Sequence, residues 1–274
     1  MTNPVPATEG GTPNVTVPTV TVVIGDVEGQ ARAHARLLAT IDATYPDADI
    51  VYVGDLTREV SGNVDVYRQV IDLIESGRAT LVKSNRGVAC VRRLGALLNR
   101  GNNVVEAAVA LYETAAQQPD RPAPRYIATL AGQLAGEPDG EDLARKIVAV
   151  ERSAPIQHPI DDGAAVVVHG GMRADLLGED SRRAERVCVH GTAGDTPADR
   201  DGWIDAYRTA RAGDTTLPVV IHGHVTYNDV HVTDATVGVD TGACDGNTLT
   251  AAVWQHGTGY AGTLSVPVED PASG

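Results

Sequence analysis

Residues 19–30 read TVTVVIGDVEGQ. A run rich in β-branched residues stops at Gly25-Asp26, and Gly29 follows before a helix-like segment. This predicts a buried strand that delivers a carboxylate to its C-terminal end and then turns into a helix. Open α/β sheets bind their ligands at that edge. The same build recurs four times. IVYVGD (50–55) ends on Asp55, ATLVKSN (79–85) ends on Asn85, AAVVVHGG (164–171) carries His169, and PVVIHGH (218–224) ends on His224. Asp, Asp, Asn, His and His at five strand ends form the convergence on which the functional reading rests.

Working outward from the first strand, residues 31–43 have a helical pattern with Leu37, Leu38 and Ile41 on one side. Residues 50–53 form the next strand. Residues 64–76 form a second helix, with Val66, Val70, Leu73 and Ile74 on one face and Gly77 closing it. A β-α-β-α-β order implies parallel strands joined by right-handed crossovers. From about residue 88 to 156 the pattern is mainly helical, which suggests an insertion or cap packed on the sheet. Strand signals then return in VVVHGG, VCVHG, PVVIHGH, ATVGVD and LTAAVW. Residues 1–17, rich in Pro, Thr, Gly and Asn, read as a flexible arm. Residues 266–274 read as a polar tail, which leaves one domain over 18–265.

The 274 residues can build a sizeable core, but Phe is absent, so aliphatic side chains must fill it. No apolar run approaches the ~20 residues of a membrane helix. The formal charge of −14, with lysine only at Lys83 and Lys146, counts against non-specific nucleic-acid binding. Cys90, Cys188 and Cys244 are widely spaced without a CxxC pair, as expected of thiols in a reducing compartment. The N-terminus lacks the basic and apolar regions of a signal peptide, and the expected location is the cytoplasm. GRATLVKS (77–84) approximates a phosphate loop, but Val82 stands where its second Gly is needed. It also leads from helix to strand, the reverse of the required context.

Carboxylate, amide and imidazole ligands suit divalent cations. Several of them around one bridging carboxylate are what a two-metal hydrolytic centre requires. The order of motifs then resembles the calcineurin-like metallophosphoesterases, on the phosphoprotein-phosphatase branch that includes diadenosine-tetraphosphate hydrolases and bacterial polynucleotide phosphatases. The motifs stand as GDVEGQ (25–30), GDLTREV (54–60), KSNRG (83–87), HGGM (169–172), HGH (222–224) and VDTGACDGNTLTA (239–251). The resemblance covers about 22–254. It implies a four-layer α/β/β/α sandwich with a helical insertion and a phosphoesterase acting through one or two divalent ions, with Mn²⁺ expected. It also implies Asp26 on the first metal, Asp55 bridging, and Asn85, His169 and His224 on the second. The expected substrate is a phosphomonoester or small nucleotide-type phosphoester. The alternative is a catalytically impaired relative serving as a binding or regulatory module.

Three departures make that alternative concrete. Glu28 stands where the family has a metal-binding His; it either ligates a hard cation or faces solvent and leaves one metal. Arg86 replaces the catalytic His after the Asn, and Arg58 and Glu59 replace the Asp and Arg of the family's GDxxDRG motif. A guanidinium with a pKa above ~12 cannot donate a proton at neutral pH, though it can stabilise developing charge. Arg86 is expected to pair with Glu59 or Glu28, and Arg58 is a candidate phosphate ligand. Arg173 is a further candidate anion ligand, with a surface salt bridge as its bland alternative. His222 and Asp240 are expected beside the site without bonding metal, and His190 is expected to be structural or beside the ligands. His34, His158, His231 and His256 read as ordinary surface residues.

Overall fold

The structure, a computed structural model, describes residues 19–118, 120, 122–191 and 202–268. The expected arm at 1–17 and most of the expected tail lie outside the described residues. β1 (Val20–Ile24) is buried along its whole length, as a β-branched strand covered on both faces must be. Parallel β2 (Asp49–Tyr52) pairs with it, and β3 (Ala79–Leu81) pairs parallel to β2. α1 (Ala31–Thr44) and α2 (Asn63–Glu75) make the crossovers. On the other flank of β1 lies antiparallel β9 (Thr248–Gln255), followed by β10 (Gly259–Pro267), so the first sheet runs β10-β9-β1-β2-β3. The second sheet, β4-β5-β6-β8-β7, is built from β4 (His158–Ile160), β5 (Ala165–Val168), β6 (Val219–His222), β7 (His231–Val232) and β8 (Thr236–Gly238). Its central β5, β6 and β8 are parallel.

The two sheets face each other across an apolar layer that includes Val23, Val51, Val53, Val167, Ile221 and Val239. The outer face of the first sheet packs on α1, α2 and a set of further helices. These are α3 (Asn85–Cys90), which continues as a π-helical turn (Val91–Gly95), α4 (Ala96–Asn99), α5 (Val104–Gln117), α6 (Pro122–Ala135) and α7 (Gly140–Ser153). α8 (Arg182–His190) and α9 (Gly202–Gly213) cover the second sheet through Cys188, Trp203 and Tyr207. The result is the expected α/β/β/α order of layers.

Three details differ from the sequence reading. VCVHG (187–191) is not a strand. RRAERVCVH forms α8, capped by the Ser181 hydroxyl accepting the Ala184 amide at 3.2 Å, and it buries Ala184, Cys188 and Val189. Residues 266 and 267 belong to β10, and Val266 is buried in the core, so the sheet runs past the expected domain end. His34 is not a surface residue. It faces inward on α1, held by Gln69 at 2.6 Å and the Tyr52 hydroxyl at 2.8 Å, and burial lowers its pKa to about 4.

α7 also carries a carboxyl into the core. Glu151 lies buried under the first turn of α3, where a Cβ on Gly87 would collide with its Oε2. The Tyr67 hydroxyl donates to Oε1 at 2.7 Å. Burial raises the Glu151 pKa from the ordinary 4.5 to about 7; the Tyr67 bond opposes that rise and the Asp55 charge adds to it. A raised carboxyl pKa means that the folded state holds its proton longer than the unfolded chain. Stability linked to this group is therefore full below about pH 4.5 and falls as pH rises through about 7, by on the order of 3 kcal/mol. Glu151→Gln is expected to flatten that dependence, so that melting temperatures at pH 5 and pH 8 lie several degrees closer than in the parent. An unaltered gap would assign the pH dependence to other groups.

Candidate metal centre

Parallel strands place the C-terminal ends of β1, β2 and β3 along one rim of the first sheet, and those of β5, β6 and β8 along the same rim of the second. Register aligns them: Ile24 is opposite Tyr52 and Tyr52 opposite Leu81, while Val168 is opposite His222 and His222 opposite Gly238. The loops that follow are tied together by backbone hydrogen bonds. The Glu28 amide donates to Asp55 O and the Gly223 amide to His169 O, both at 2.9 Å. The sheets come so close here that a Cβ at Gly223 would strike Asp26 Oδ1 and Val53. Glu28, Asp55 and His224 adopt left-handed φ values of 48°, 49° and 67°. Non-glycine residues rarely do so without over-determination by their surroundings, and such strain gathers at functional sites.

At the centre is His169, fully buried. Its Nδ1–H donates across the sheet interface to Val53 O at 2.9 Å, which leaves a lone pair on Nε2. That nitrogen faces Asn85 Oδ1 at 2.8 Å and Asp55 Oδ1 at 3.4 Å. Three electron-pair donors therefore point at one another. A proton on Nε2 would relieve them, but burial lowers the His169 pKa to about 3 despite the Asp55 carboxylate. A cation relieves them better. One ligand atom each from Asp55, His169 and His224 lie within 4.8 Å of one another, and the two imidazoles meet edge to face at 5.0 Å. A buried neutral imidazole oriented by a backbone carbonyl, with a carboxylate, an amide oxygen and a second imidazole, fits a divalent cation.

Beside this group lies a carboxylate cluster. Asp26 accepts the His224 amide on Oδ1 and Oδ2 at 3.2 and 3.3 Å. Its pKa is pushed well up, first by burial and then by Asp240, Asp55 and Glu28. Asp240 rises to about 6, chiefly through burial, even though it accepts the Gly242 amide at 3.0 Å and the Thr226 hydroxyl at 3.1 Å. Burial alone would raise Asp55 as well, but His169, Arg86 and His224 together hold it below the ordinary range. Uncompensated negative charge of this kind is what bound cations neutralise.

Arg86 lies across the cluster, 13% exposed. Its Nε donates to Asp55 Oδ2 at 2.8 Å, one terminal nitrogen pairs with Glu28 Oε1, and the other donates to Thr57 O at 2.9 Å. The guanidinium packs over the Tyr126 ring, 5.4 Å from its centroid. Burial works against its charge, but Asp55, Glu28 and Asp26 raise its pKa further above the ordinary arginine range. Arg58 reaches the same Glu28 oxygen at 2.9 Å. Glu28, which could have been a metal ligand or faced solvent, is instead buried and held by two guanidinium groups. Of the two partners open to Arg86 in the sequence, the structure places it on Glu28. Glu59 is exposed and pairs with Arg125 at 3.2 Å. Arg173 lies on the surface, bound to Asp175 at 2.9 and 3.1 Å. His222 is buried beside the site against the Trp203 ring, its pKa lowered to about 4 chiefly by burial.

No family model matches the chain. Among curated proteins it is similar to a bis(5'-nucleosyl)-tetraphosphatase PrpE [asymmetrical] of Anoxybacillus flavithermus, 26% identical over 268 residues, covering 91% of this chain and 94% of that protein. The PrpE of Bacillus velezensis is 28% identical over 210 residues, 74% of this chain and 73% of its own length. A solved structure assigned as a diadenosine tetraphosphatase superposes with a TM-score of 0.59 over 94% of this chain and 97% of its own, at 20% identity. These relatives and the shared fold support the resemblance to the calcineurin-like metallophosphoesterases. A Saccharomyces cerevisiae protein serine/threonine phosphatase shares the fold at a TM-score of 0.57 and 14% identity, covering 94% of this chain and 82% of that one. By their geometry, Asp55, Asn85, His169 and His224 are the residues that would hold a divalent ion. Arg86 with Glu28 and Arg58 is the local departure.

Proposed function

We propose that the protein hydrolyses small nucleotide-type phosphoesters or phosphomonoesters, with dinucleoside polyphosphates as the first class to try and Mn²⁺ as the ion. The meeting of His169 Nε2, Asn85 Oδ1 and Asp55 Oδ1 carries this reading, because hydrolysis in the family depends on a cation at such a point. When bound, the ion supplies Lewis-acid activation of water and of the phosphoryl group. The chain supplies the rest. Val53 O fixes the His169 tautomer, and the Asp26 carboxylate anchors the His224 amide. Arg86 keeps two of its five N–H groups beyond the three bonds described, and can direct them at charge on the phosphoryl or leaving oxygens. Three free cysteines fit a cytoplasmic setting.

The second reading is a binding module. The Arg86–Glu28–Arg58 network favours it, because it occupies the position where the family keeps its acid. Diadenosine tetraphosphate and an activated aryl phosphate, each assayed with the metal-free protein and after Mn²⁺ addition, separate the two readings. Turnover that appears only with Mn²⁺ is expected. Binding of the nucleotide without turnover of either compound would establish the module.

A further inference from the structure

The three departures from the family pattern touch one another. Glu28, Arg58 and Arg86 come from the loops after β1 and β2 and from the start of α3. They meet on a single carboxylate oxygen, Glu28 Oε1. Arg86 also covers the one Asp55 oxygen that does not face His169. A second ion beside Asp26 would need ligands from Glu28 and Asp55, but Glu28 Oε1 is held by two guanidinium groups and Asp55 Oδ2 already carries the Arg86 Nε–H at 2.8 Å.

We infer that the centre is mononuclear, with the Arg86 guanidinium serving as a resident cation where a second divalent ion would have to bind. This deepens the phosphoesterase reading and rests on it for the first ion only. Charge supports it. Four carboxylates, Asp26, Glu28, Asp55 and Asp240, act on one another here, and Arg86 and Arg58 offset two of them. A second divalent ion there would have to displace Arg86 from its three bonds in a buried site. The geometry of Arg86 is that of a built position: its planar fork matches Asp55, Glu28 and Thr57 O at once, and Tyr126 covers one face. Arg58 is 40% exposed and bonds the same glutamate from outside, so Glu28 stays occupied when the ion arrives.

The test is the ion count on the full-length protein. Metal-free protein is titrated with Mn²⁺ and read by elemental analysis after desalting and by electron paramagnetic resonance. The parent is expected to retain one Mn²⁺ per chain with the six-line spectrum of an isolated ion. The Arg58→Ala/Arg86→Ala protein, checked for folding by its thermal melt, frees Asp55 Oδ2 and Glu28 and is expected to retain two, with an exchange-coupled spectrum. Two coupled ions in the parent, or an Arg58→Ala/Arg86→Ala protein that folds and still holds one, would overturn the inference. The parent count decides the matter even where the variant fails to fold. One ion without hydrolysis would defeat only the phosphoesterase reading, two ions with hydrolysis only the mononuclear one, and no ion would defeat both.

Discussion

Asp55→Asn is expected to lower Mn²⁺-dependent turnover by on the order of 10³-fold and to release the ion. The substitution preserves shape and removes charge. In the parent, Oδ1 faces His169 Nε2 at 3.4 Å and accepts the Arg86 amide at 3.2 Å, while Oδ2 pairs with Arg86 Nε at 2.8 Å. An asparagine amide can reproduce one of those faces but not both, since one oxygen becomes an NH₂ donor. If the oxygen stays toward His169, the NH₂ group confronts the guanidinium. If it turns toward Arg86, an N–H group enters the ligand position. Either way the ligand set loses a formal negative charge and holds the cation less well, and losing Lewis-acid stabilisation of several kcal/mol converts to about three decades of rate. A thermal melt accompanies the assay, because removing one partner of a buried ion pair costs about 3–5 kcal/mol. A folded Asp55→Asn protein with full metal-dependent turnover would place the chemistry elsewhere.

Much of this centre could be read from the chain alone because each residue follows a strand whose pattern is simple. The run at 20–24 is apolar on both faces, and Asp26, Asp55, Asn85 and His169 fall just beyond such runs. Strand order then does the rest, since parallel strands must end on one rim. The same pattern misled at VCVHG, where a short apolar run ends on a histidine and glycine as the true strands do. The wider window RRAERVCVH, with Ser181 before it, shows helical spacing through Ala184 and Cys188. His34 also carried a signal, because it shares the stripe of Leu37 and Ile41 on α1 and so faces the core. Glu151 lies on the corresponding stripe of α7 with Ala144, Ile147 and Val148. A charged residue in such a stripe marks either a surface edge or a buried partner, and here the partner, Tyr67, lies 84 residues away. The choice between Glu28 and Glu59 for Arg86 had no local signal at all. It is settled by the left-handed turns at residues 28 and 55, which bring Glu28 under the guanidinium.

The second large effect concerns the leaving group. Arg86 stands where the family's acid would be, and its pKa, raised by Asp55, Glu28 and Asp26 against the effect of burial, rules out proton donation across the working range. General-acid catalysis contributes about 10²–10⁴-fold where the departing oxygen is strongly basic, and almost nothing where that oxygen leaves readily as an anion. An alkyl phosphate is therefore expected to turn over at least about 10²-fold more slowly than a nitrophenyl phosphate of comparable size, with a steep linear free-energy relation across a phenol series. The anhydride bonds of a dinucleoside polyphosphate release a phosphate of low basicity and should fall with the fast substrates, which is why that class heads the assay above. Arg86 keeps two N–H groups beyond its three bonds, so neutralising it tests a different property from acidity. Arg86→Gln should slow the fast substrates as well, by loss of charge stabilisation, while leaving the slope of the phenol series nearly unaltered. A shallow slope in the parent would mean that another residue of the site delivers the proton, and Arg86 would then keep its electrostatic part without explaining the choice of substrate.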